Sequence, residues 1–214
     1  MKKTHKKYYV FAGIAVFSIL VFLLVVYILM PRGKPVVLYE PDVLLKIVED
    51  GDIICRLGDR FWSGFFRDVS AVDRRYSHIG IIRINGDRIT VIHAEGTTEP
   101  KKDFVKEETF EDFIKIARTI GIYRINDANG SQISNLATEY LDLPFDWQFD
   151  MYDNSKLYCT ELLYVILKRL MPELELNTVF IKELGREIIP LEAVSNSEYF
   201  TEIFFSTTAM QNGK

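Results

Sequence analysis

A run of 23 residues without a charged side chain, residues 8–30, is the feature that most constrains what this chain can fold into. At about 1.5 Å per residue, a helix of this length spans about 34 Å, which is enough to cross the hydrocarbon core of a bilayer. The run therefore predicts one transmembrane helix, and it predicts a lipid bilayer as a partner of the chain.

Charges on either side of this run predict its orientation. Four lysines lie within residues 1–7, whereas only Arg32 and Lys34 follow closely. This excess of lysine favours a cytoplasmic N-terminal tail and a domain outside the cytoplasm. A cleaved signal peptide is the alternative, but its apolar core is usually about 7–15 residues long and ends at small residues, and residues 28–31 (ILMP) offer no such site. We therefore expect a single-pass membrane protein.

The rest of the chain is long enough for one domain. Of the 214 residues, roughly 180 remain, which suffices for one well-formed core and hardly for two. We expect residues 31–40 to be a linker, residues 41–205 to form the domain and residues 206–214 to be a C-terminal tail. Two cysteines are too few for a fold held by a framework of disulfides.

The predicted domain is acidic. The whole chain has 26 basic and 30 acidic residues, and residues 1–35 hold six of the basic residues and none of the acidic ones. The remainder therefore carries 20 basic and 30 acidic residues, a formal net charge of −10. Because such a surface repels phosphate backbones, nucleic acid is not an expected partner. The sequence does not indicate an oligomeric state.

Helix and strand patterns mix along the domain without strict alternation. Helix patterns cover residues 41–49, 60–69, 109–120, 131–141 and 158–170. Strand patterns cover residues 52–57, 78–84, 88–93 and 122–125. Because the second and third of these strands are joined by a short turn, at least part of the sheet is antiparallel. This favours an α+β domain over a doubly wound parallel sheet.

This hairpin groups two histidines. A two-residue turn at residues 85–86 places His78 directly opposite His93, on the same face of the sheet. The same turn one residue later places His78 opposite Glu95, with His93 as a diagonal neighbour on that face. Only a three-residue loop would separate the two imidazoles.

Cys159 is the candidate nucleophile. It lies at the start of the predicted helix 158–170, where the positive end of the helix dipole and unpaired backbone N–H groups stabilise a thiolate. The same N–H groups can bind a developing oxyanion, and a nearby imidazole would complete a thiolate–imidazolium pair. The alternative interpretation is that Cys159 is a small buried helix residue without a chemical role.

Cys55 lies inside a predicted strand, and we interpret it as a core residue. A disulfide between Cys55 and Cys159 is an alternative in an oxidising compartment, and it would abolish the proposed chemistry. Zinc held by two histidines and a cysteine is another alternative, but no H-x-x-x-H or C-x-x-C spacing supports it. The sequence therefore predicts a site without a metal or a cofactor.

Five strings resemble those of one enzyme family. They are GDII at residues 51–54, YSHIGI at 76–81, VIHA at 91–94, LPFD at 143–146 and YCTEL at 158–162. Their order and spacing resemble the circularly permuted papain-like amidases of the YaeF/YiiX group, relatives of NlpC-type cell-wall peptidases, over roughly residues 40–200. The histidine precedes the cysteine, which is the permuted order. The resemblance implies a central antiparallel sheet with the cysteine-bearing helix packed against it.

The resemblance also implies roles for individual residues. It makes Cys159 the nucleophile, His78 the catalytic base and His93 the third polar residue, which orients His78. The family commonly has glutamate at the place of His93, and a histidine there is similar to lecithin retinol acyltransferase-like relatives. Because His93 supplies no fixed negative charge, the imidazolium of His78 should be less stabilised, and Glu95 is a second candidate for orienting it.

Five further residues have expected roles. Tyr76 can assist the backbone N–H groups in binding the oxyanion, and we expect Glu161 to cap or pair rather than to contact substrate. Asp146, Trp147 and Asp150 are candidates for lining the substrate cleft, where acidic groups would favour an amine-bearing substrate.

These residues predict acyl transfer to water through a thiol acyl-enzyme. We expect the substrate to be a small peptide or another amide, of the cell-wall type. A lipid acyl hydrolase or acyltransferase is the alternative within acyl chemistry, because the domain lies near a membrane. A catalytically inactive binding domain on the same fold is the alternative outside it.

Overall fold

In a computed structural model of the chain, the described residues are 17–22, 35–36, 41–58, 61–97, 99, 102–207 and 209–210. They fall into two compact units, of which the larger is Val37–Ala209. The smaller unit contains helix α1 (residues 17–22) and the short strand β1 (Pro35–Val36).

The predicted transmembrane helix concerns residues 8–30, of which the structure describes only α1. Among the described residues, no helix is both long enough and apolar enough to span a membrane. The remainder of that segment lies outside the described residues, as do the predicted cytoplasmic tail at residues 1–7 and most of the predicted linker. The membrane anchor therefore stays a prediction.

The larger unit contains helices and strands in mixed order. Its helices are α2 (Pro41–Ile47), α3 (Phe61–Val69), α4 (Phe110–Lys115), α5 (Gly130–Thr138), α6 (Cys159–Leu170) and α7 (Glu192–Ser195). Its strands are β2 (Ile53–Leu57), β3 (His78–Asn85), β4 (Arg88–Glu95), β5 (Phe104–Thr109), β6 (Thr119–Ile125), β7 (Val179–Ile181), β8 (Arg186–Ile188) and β9 (Phe200–Thr207). Strand β10 (Ala209–Met210) follows at the end of the described chain.

Six of these strands form one sheet in the order β5-β4-β3-β2-β6-β9, and every neighbouring pair is antiparallel. Strands β7 and β8 form a separate hairpin. Antiparallel neighbours can be joined by short turns, as β3 and β4 are here. The predicted α+β domain with a central antiparallel sheet is confirmed.

Successive side chains of a strand point to opposite sides of the sheet, and helices bury the apolar side chains on both faces. Helices α5 and α6 cover one face, where the core includes Ile53, Cys55 and Ile79. Helices α2 and α4 cover the other face, where the core includes Ile54 and Phe113. Cys55 is fully buried, as predicted for a core residue. The cysteine-bearing helix α6 packs against the sheet, as the resemblance implied.

The hairpin of β3 and β4 settles the register. Asn85 pairs with Arg88, so the turn consists of the two residues between them. Gly86, the first of these, has a φ of 61°, which glycine adopts at little cost. The predicted register with its turn at residues 85–86 is therefore wrong, and the alternative with its turn at residues 86–87 is confirmed. Extended along the two strands, this register places His78 opposite Glu95.

Several stretches differ from the prediction. The helix predicted for residues 109–120 ends at Lys115, because Thr119 and Ile120 already pair with β2. The sequence also did not predict β5 or β9, and β9 continues into the predicted C-terminal tail. In β5 charged residues weaken the apolar alternation, and pairing with a neighbouring strand, rather than propensity, stabilises such a strand.

Candidate active site

A cavity of about 470 Å³ lies at the end of the sheet where β2 and β4 finish and β3 begins. The described residues that line it include His78, Cys159, Arg56, Glu95 and Lys106. Its wall also includes three apolar side chains, Phe66, Ile116 and Phe145. The structure thus brings the predicted nucleophile and the predicted base to one cavity.

Cys159 is the first residue of α6 and is 5% exposed. Burial raises the pKa of its thiol to about 11, although backbone N–H groups of Ile79, Thr160 and Cys159 itself, and the charge of Arg56, act to lower it. The predicted stabilisation of a thiolate by backbone N–H groups is present, but burial outweighs it. The thiol is therefore protonated at neutral pH.

Cys55 and Cys159 are both free thiols. The structure therefore contradicts the alternative of a disulfide between them. Their surroundings differ: Cys55 lies within the interior of β2, whereas Cys159 borders the cavity.

His78 and His93 contact each other directly. Nε2 of His78 lies 2.8 Å from Nδ1 of His93, and the ring planes cross at 82°. Phe113 of α4 packs against both rings, and His93 is fully buried. A Cβ placed at Gly80, opposite His93, would clash with Val91 and lie 3.2 Å from the Cβ of His93. The glycine therefore leaves room for Val91 and for the Cβ of His93, and the predicted adjacency of the two histidines is confirmed.

Glu108, on β5, lies behind His93. Its Oε1 is 3.0 Å from Nε2 of His93, in an ion-pair contact that is too far off the N–H direction to be a well-aligned hydrogen bond. Burial lowers the pKa of His93 and outweighs the opposing effect of Glu108, so His93 is neutral. Burial alone would raise the pKa of Glu108, but His93, Lys106 and Arg56 together lower it to about 2. Glu108 is therefore ionised at neutral pH.

Sequence reasoning did not single out Glu108, and the missing signal was the strand that carries it. In the structure β5 pairs with β4, and His93 faces Lys106 in that register. Because alternate residues of a strand share a face, Glu108 lies on the same side of the sheet as His93. A strand prediction for residues 104–109 would have suggested this neighbour.

Glu95 is held by two cations. One of its oxygens lies 3.0 Å from Nη2 of Arg56, and the other accepts a hydrogen bond from Lys106. Burial alone would raise the pKa of Glu95, but His93, Lys106 and Arg56 outweigh burial and lower it. Both carboxylate oxygens of Glu95 thus serve ion pairs, and its predicted role as an orienter of His78 stays a prediction.

A metal ion does not suit this end of the sheet. Within the described part of the chain, His93, Glu95 and Glu108 are the group whose donor atoms could share an ion, since these atoms lie within 4.8 Å of one another. However, Arg56 approaches Glu95 to 3.0 Å and Glu108 to 3.6 Å, and Lys106 contacts both carboxylates. Those two cations would repel a divalent ion, so the residues fit an ion-pair network.

Tyr76 and Glu161 have structural surroundings. Tyr76 is 1% exposed, and its hydroxyl forms a hydrogen bond of 3.1 Å with the hydroxyl of Tyr123. It is not among the described residues that line the cavity, so the structure does not place it to bind an oxyanion. Glu161 is 1% exposed and accepts a hydrogen bond from the backbone N–H of Tyr158 at the start of α6, which agrees with the predicted capping role.

The loop residues predicted to line the cleft lie elsewhere. The fully buried carboxylate of Asp146 accepts hydrogen bonds from two backbone N–H groups of its own loop. The indole of Trp147 donates to Asp103, and Asp150 forms an ion pair with Arg186. None of the three predicted residues is among the described ones that line the cavity. The preference for an amine-bearing substrate loses its basis, because Asp146 holds its own loop and Asp150 pairs with Arg186.

The fold and the cavity together define a class of protein. A cysteine begins a helix that packs on an antiparallel sheet, and the histidine that shares its cavity comes earlier in the chain, on a strand. This is the arrangement of a thiol hydrolase of the papain-like type with its parts in permuted order. The chain belongs to the family described as "permuted papain-like amidase enzyme, YaeF/YiiX, C92 family", whose profile matches residues 47–191.

A solved structure supports the fold. The chain is similar to the metalloprotein yiiX from Escherichia coli O157:H7, with a TM-score of 0.63 and 16% sequence identity. The match covers 75% of this chain and 99% of that one. Among curated proteins, no match to this chain was found.

Proposed function

We propose that this chain is a cysteine hydrolase that cleaves amide bonds, of the peptide or cell-wall type, through a thiol acyl-enzyme. One observation carries the proposal: Cys159 and His78 line the same cavity, and Nε2 of His78 is held 2.8 Å from His93. A thiol and an imidazole that is oriented by a third group form the arrangement that activates a cysteine for attack on a carbonyl. Membership of an amidase family supports the same class of reaction.

His78 acts first as a general base, because burial keeps Cys159 protonated at rest. With its Nε2 engaged by His93, His78 takes the thiol proton on Nδ1 while the sulfur attacks the carbonyl carbon. Backbone N–H groups at the start of α6 stabilise the oxyanion. His78 then gives the proton to the leaving amine, the C–N bond breaks, and the acyl group remains on the sulfur.

Water completes the cycle. His78, neutral again, takes a proton from a water molecule whose oxygen attacks the thioester carbon. The C–S bond breaks, the acid product leaves, and the proton returns to the sulfur of Cys159. Each turn therefore consumes one water for one amide bond.

Alkylation by iodoacetamide tests the thiol, and Cys55 is a control within the same chain. We expect Cys159 to react while Cys55, fully buried, is protected in the folded protein. The rate at Cys159 should rise about tenfold per pH unit between about pH 7 and 9, because a thiol whose pKa is near 11 gains thiolate in that proportion. Mass spectrometry of the digested chain measures both rates. Equal protection of the two thiols would count against the proposal.

Substitution tests the two catalytic groups. Cys159→Ser and His78→Gln should each lower hydrolysis of a panel of peptide amides by about 10³-fold or more, since they remove the nucleophile and the base. Cys55→Ala is the matched control and should keep the rate, because Cys55 lies in the core away from the cavity wall. Full activity of Cys159→Ser would show that another group performs the reaction.

Lipid acyl hydrolysis or transfer is the second candidate, and the apolar side chains of the cavity favour it. Phe66, Ile116 and Phe145 could hold an acyl chain. Matched esters and amides with acyl chains of increasing length distinguish the candidates. A rate that rises with chain length on phospholipid esters, with no cleavage of peptide amides, would favour the lipid substrate.

We retain the membrane anchor as part of this proposal. The uncharged residues 8–30, with their preceding lysines, support a single-pass protein whose catalytic domain lies outside the cytoplasm. Alkaline carbonate extraction tests the anchor, and protease protection of intact cells tests the orientation. Release of the chain into the carbonate supernatant would contradict the anchor.

A further inference from the structure

We propose that Glu108 is a positioning residue. Acting through His93, it selects the tautomer of His78 in which Nδ1 is the basic nitrogen, available to take the proton of the Cys159 thiol. The inference rests on the proposed function. It assigns to the site a fourth member, on a strand that none of the family-like strings includes.

The geometry is a chain of contacts that crosses three neighbouring strands. Oε1 of Glu108 lies 3.0 Å from Nε2 of His93, and Nδ1 of His93 lies 2.8 Å from Nε2 of His78. His93 is fully buried, so no bulk water competes for its ring nitrogens. The two nitrogens of His93 thus face different partners, a carboxylate on one side and an imidazole on the other.

These partners determine which ring nitrogen carries the proton in His93 and in His78. An ionised carboxylate only accepts hydrogen bonds, and Nε2 is the ring nitrogen of His93 that contacts Glu108, so the proton of the neutral ring belongs on Nε2 although the contact is poorly aligned. Nδ1 of His93 is then an acceptor, and Nε2 of His78 must donate to it. A neutral imidazole carries one proton, so Nδ1 of His78 keeps its lone pair and can accept the proton of Cys159.

Glu108 also supplies a fixed negative charge that His93 lacks. His93 is neutral in its buried setting. The ionised carboxylate of Glu108 stands on the next strand, in contact with that histidine. The negative charge that stabilises an imidazolium is therefore present, but it acts across one additional imidazole ring.

Charged groups on the neighbouring strands lie around the pair of Glu108 and His93. From β2, Arg56 lies 3.6 Å from Glu108. Lys106 on β5 lies 3.4 Å from Glu108, and Glu95 on β4 contacts both cations. Helix α4 contributes the uncharged ring of Phe113. A purely structural ion-pair role is thus the competing explanation, and the experiment must separate it from positioning.

The test compares Glu108→Gln with Glu107→Gln in the full-length protein. Glu107 is the next residue of β5 and contacts Thr90 and Arg83 rather than His93, so it is the matched control. We expect Glu108→Gln to lower kcat about 10–100-fold with little change in KM, because the amide can donate to His93 and stabilise the wrong tautomer. Glu108→Asp should recover part of kcat. Glu107→Gln should stay near the wild-type rate.

Nitrogen NMR of ¹⁵N-histidine-labelled protein gives a readout that does not depend on activity. The chain has three histidines, and the His78→Gln and His93→Gln variants assign the signals. We expect the wild-type His93 ring to be protonated at Nε2, and Glu108→Gln to shift it towards Nδ1. An inactive wild type with this tautomer would refute the proposed function and leave the positioning inference standing.

Three results would overturn the inference. The first is a wild-type His93 that is protonated at Nδ1. The second is a Glu108→Gln variant that unfolds more easily but keeps kcat within about twofold across the pH range. The third is tight binding of one equivalent of zinc that Glu108→Gln abolishes, because the carboxylate would then be a metal ligand.

Discussion

On the β5 side of the cavity Glu108 lies among cations, whereas in the first turn of α6, two residues after Cys159, Glu161 lies among aspartates. Arg56, Lys106 and the contact with His93 outweigh the effect of burial and lower the pKa of Glu108 to about 2. At the start of α6, burial and, to a lesser extent, nearby aspartates together raise the pKa of Glu161 to about 8. Both side chains leave water on folding, so the sign of the neighbouring charge decides which one ionises.

The two carboxylates also differ in what they contact. Glu108 contacts the imidazole chain that leads to His78. Glu161 accepts the backbone N–H of Tyr158 with one oxygen, and within the described part of the chain its buried Oε1 has no hydrogen-bond partner. The comparison assigns an electrostatic role to Glu108 and a capping role, in its neutral form, to Glu161.

Among substitutions of these glutamates, replacing Glu161 should change the free energy of unfolding the most. Glu161→Gln keeps the cap and removes the ionisation, so we expect it to raise the free energy of unfolding by on the order of 3 kcal/mol at pH 7. The unfolded chain ionises this residue near pH 4.5, whereas the folded chain holds its proton to about pH 8. Wild-type stability therefore falls as pH rises through that window. Urea unfolding at pH 4 and pH 7 measures the difference.

At pH 4 the same variant should match the wild type, because Glu161 is then protonated in both the folded and the unfolded chain. A gain of equal size at both pH values would show that the substitution acts through packing and not through ionisation. A loss at pH 7 would contradict the assignment of a neutral glutamate.

Glu108 should show the opposite dependence on pH with a smaller effect. Its folded pKa of about 2 lies below the ordinary value of 4.5, so its stabilising contribution is present above pH 4.5 and is lost as pH falls towards 2. With allowance for its 21% exposure, we expect about 2 kcal/mol from this residue. In Glu108→Gln this part of the acid destabilisation should be absent, as measured by thermal unfolding between pH 5 and 2.

Glu107→Gln sets the lower limit of the series. Glu107 is half-buried and pairs with Arg83 rather than with a histidine. We therefore expect the substitution to change the free energy of unfolding by less than about 1 kcal/mol at every pH. An acid profile for this variant that equals that of Glu108→Gln would mean that β5 as a whole, and not Glu108, carries the pH dependence.

Local patterns in the sequence were enough to find the candidate reacting groups. The period of two in a hairpin with a short turn places His78 and His93 on one face in either register that a two-residue turn allows. The start of a helix likewise fixes the surroundings of Cys159, because its backbone N–H groups come from neighbouring residues. Such features depend on a few consecutive residues, and the family-like strings contain the same positions.

Contacts between residues distant in the chain were beyond that reasoning. Glu108 reaches His93 because β5 pairs with β4, and the loop with Asp146 turns its carboxylate onto its own backbone instead of into the cavity. Tyr76 faces Tyr123 across the sheet for a similar reason. These partners depend on strand order and loop conformation, which no local pattern specifies.

The sequence by itself determined which groups could react: an imidazole pair on one hairpin and a thiol at a helix start, each defined by the geometry of a single element. Only the tertiary structure decided their protonation states, since burial in the assembled cavity raises the pKa of Cys159, and charges from separate strands determine which carboxylates ionise. The physical reason is that covalent neighbours set the position of a side chain along an element, whereas its electrostatic environment is the sum over everything that folds around it.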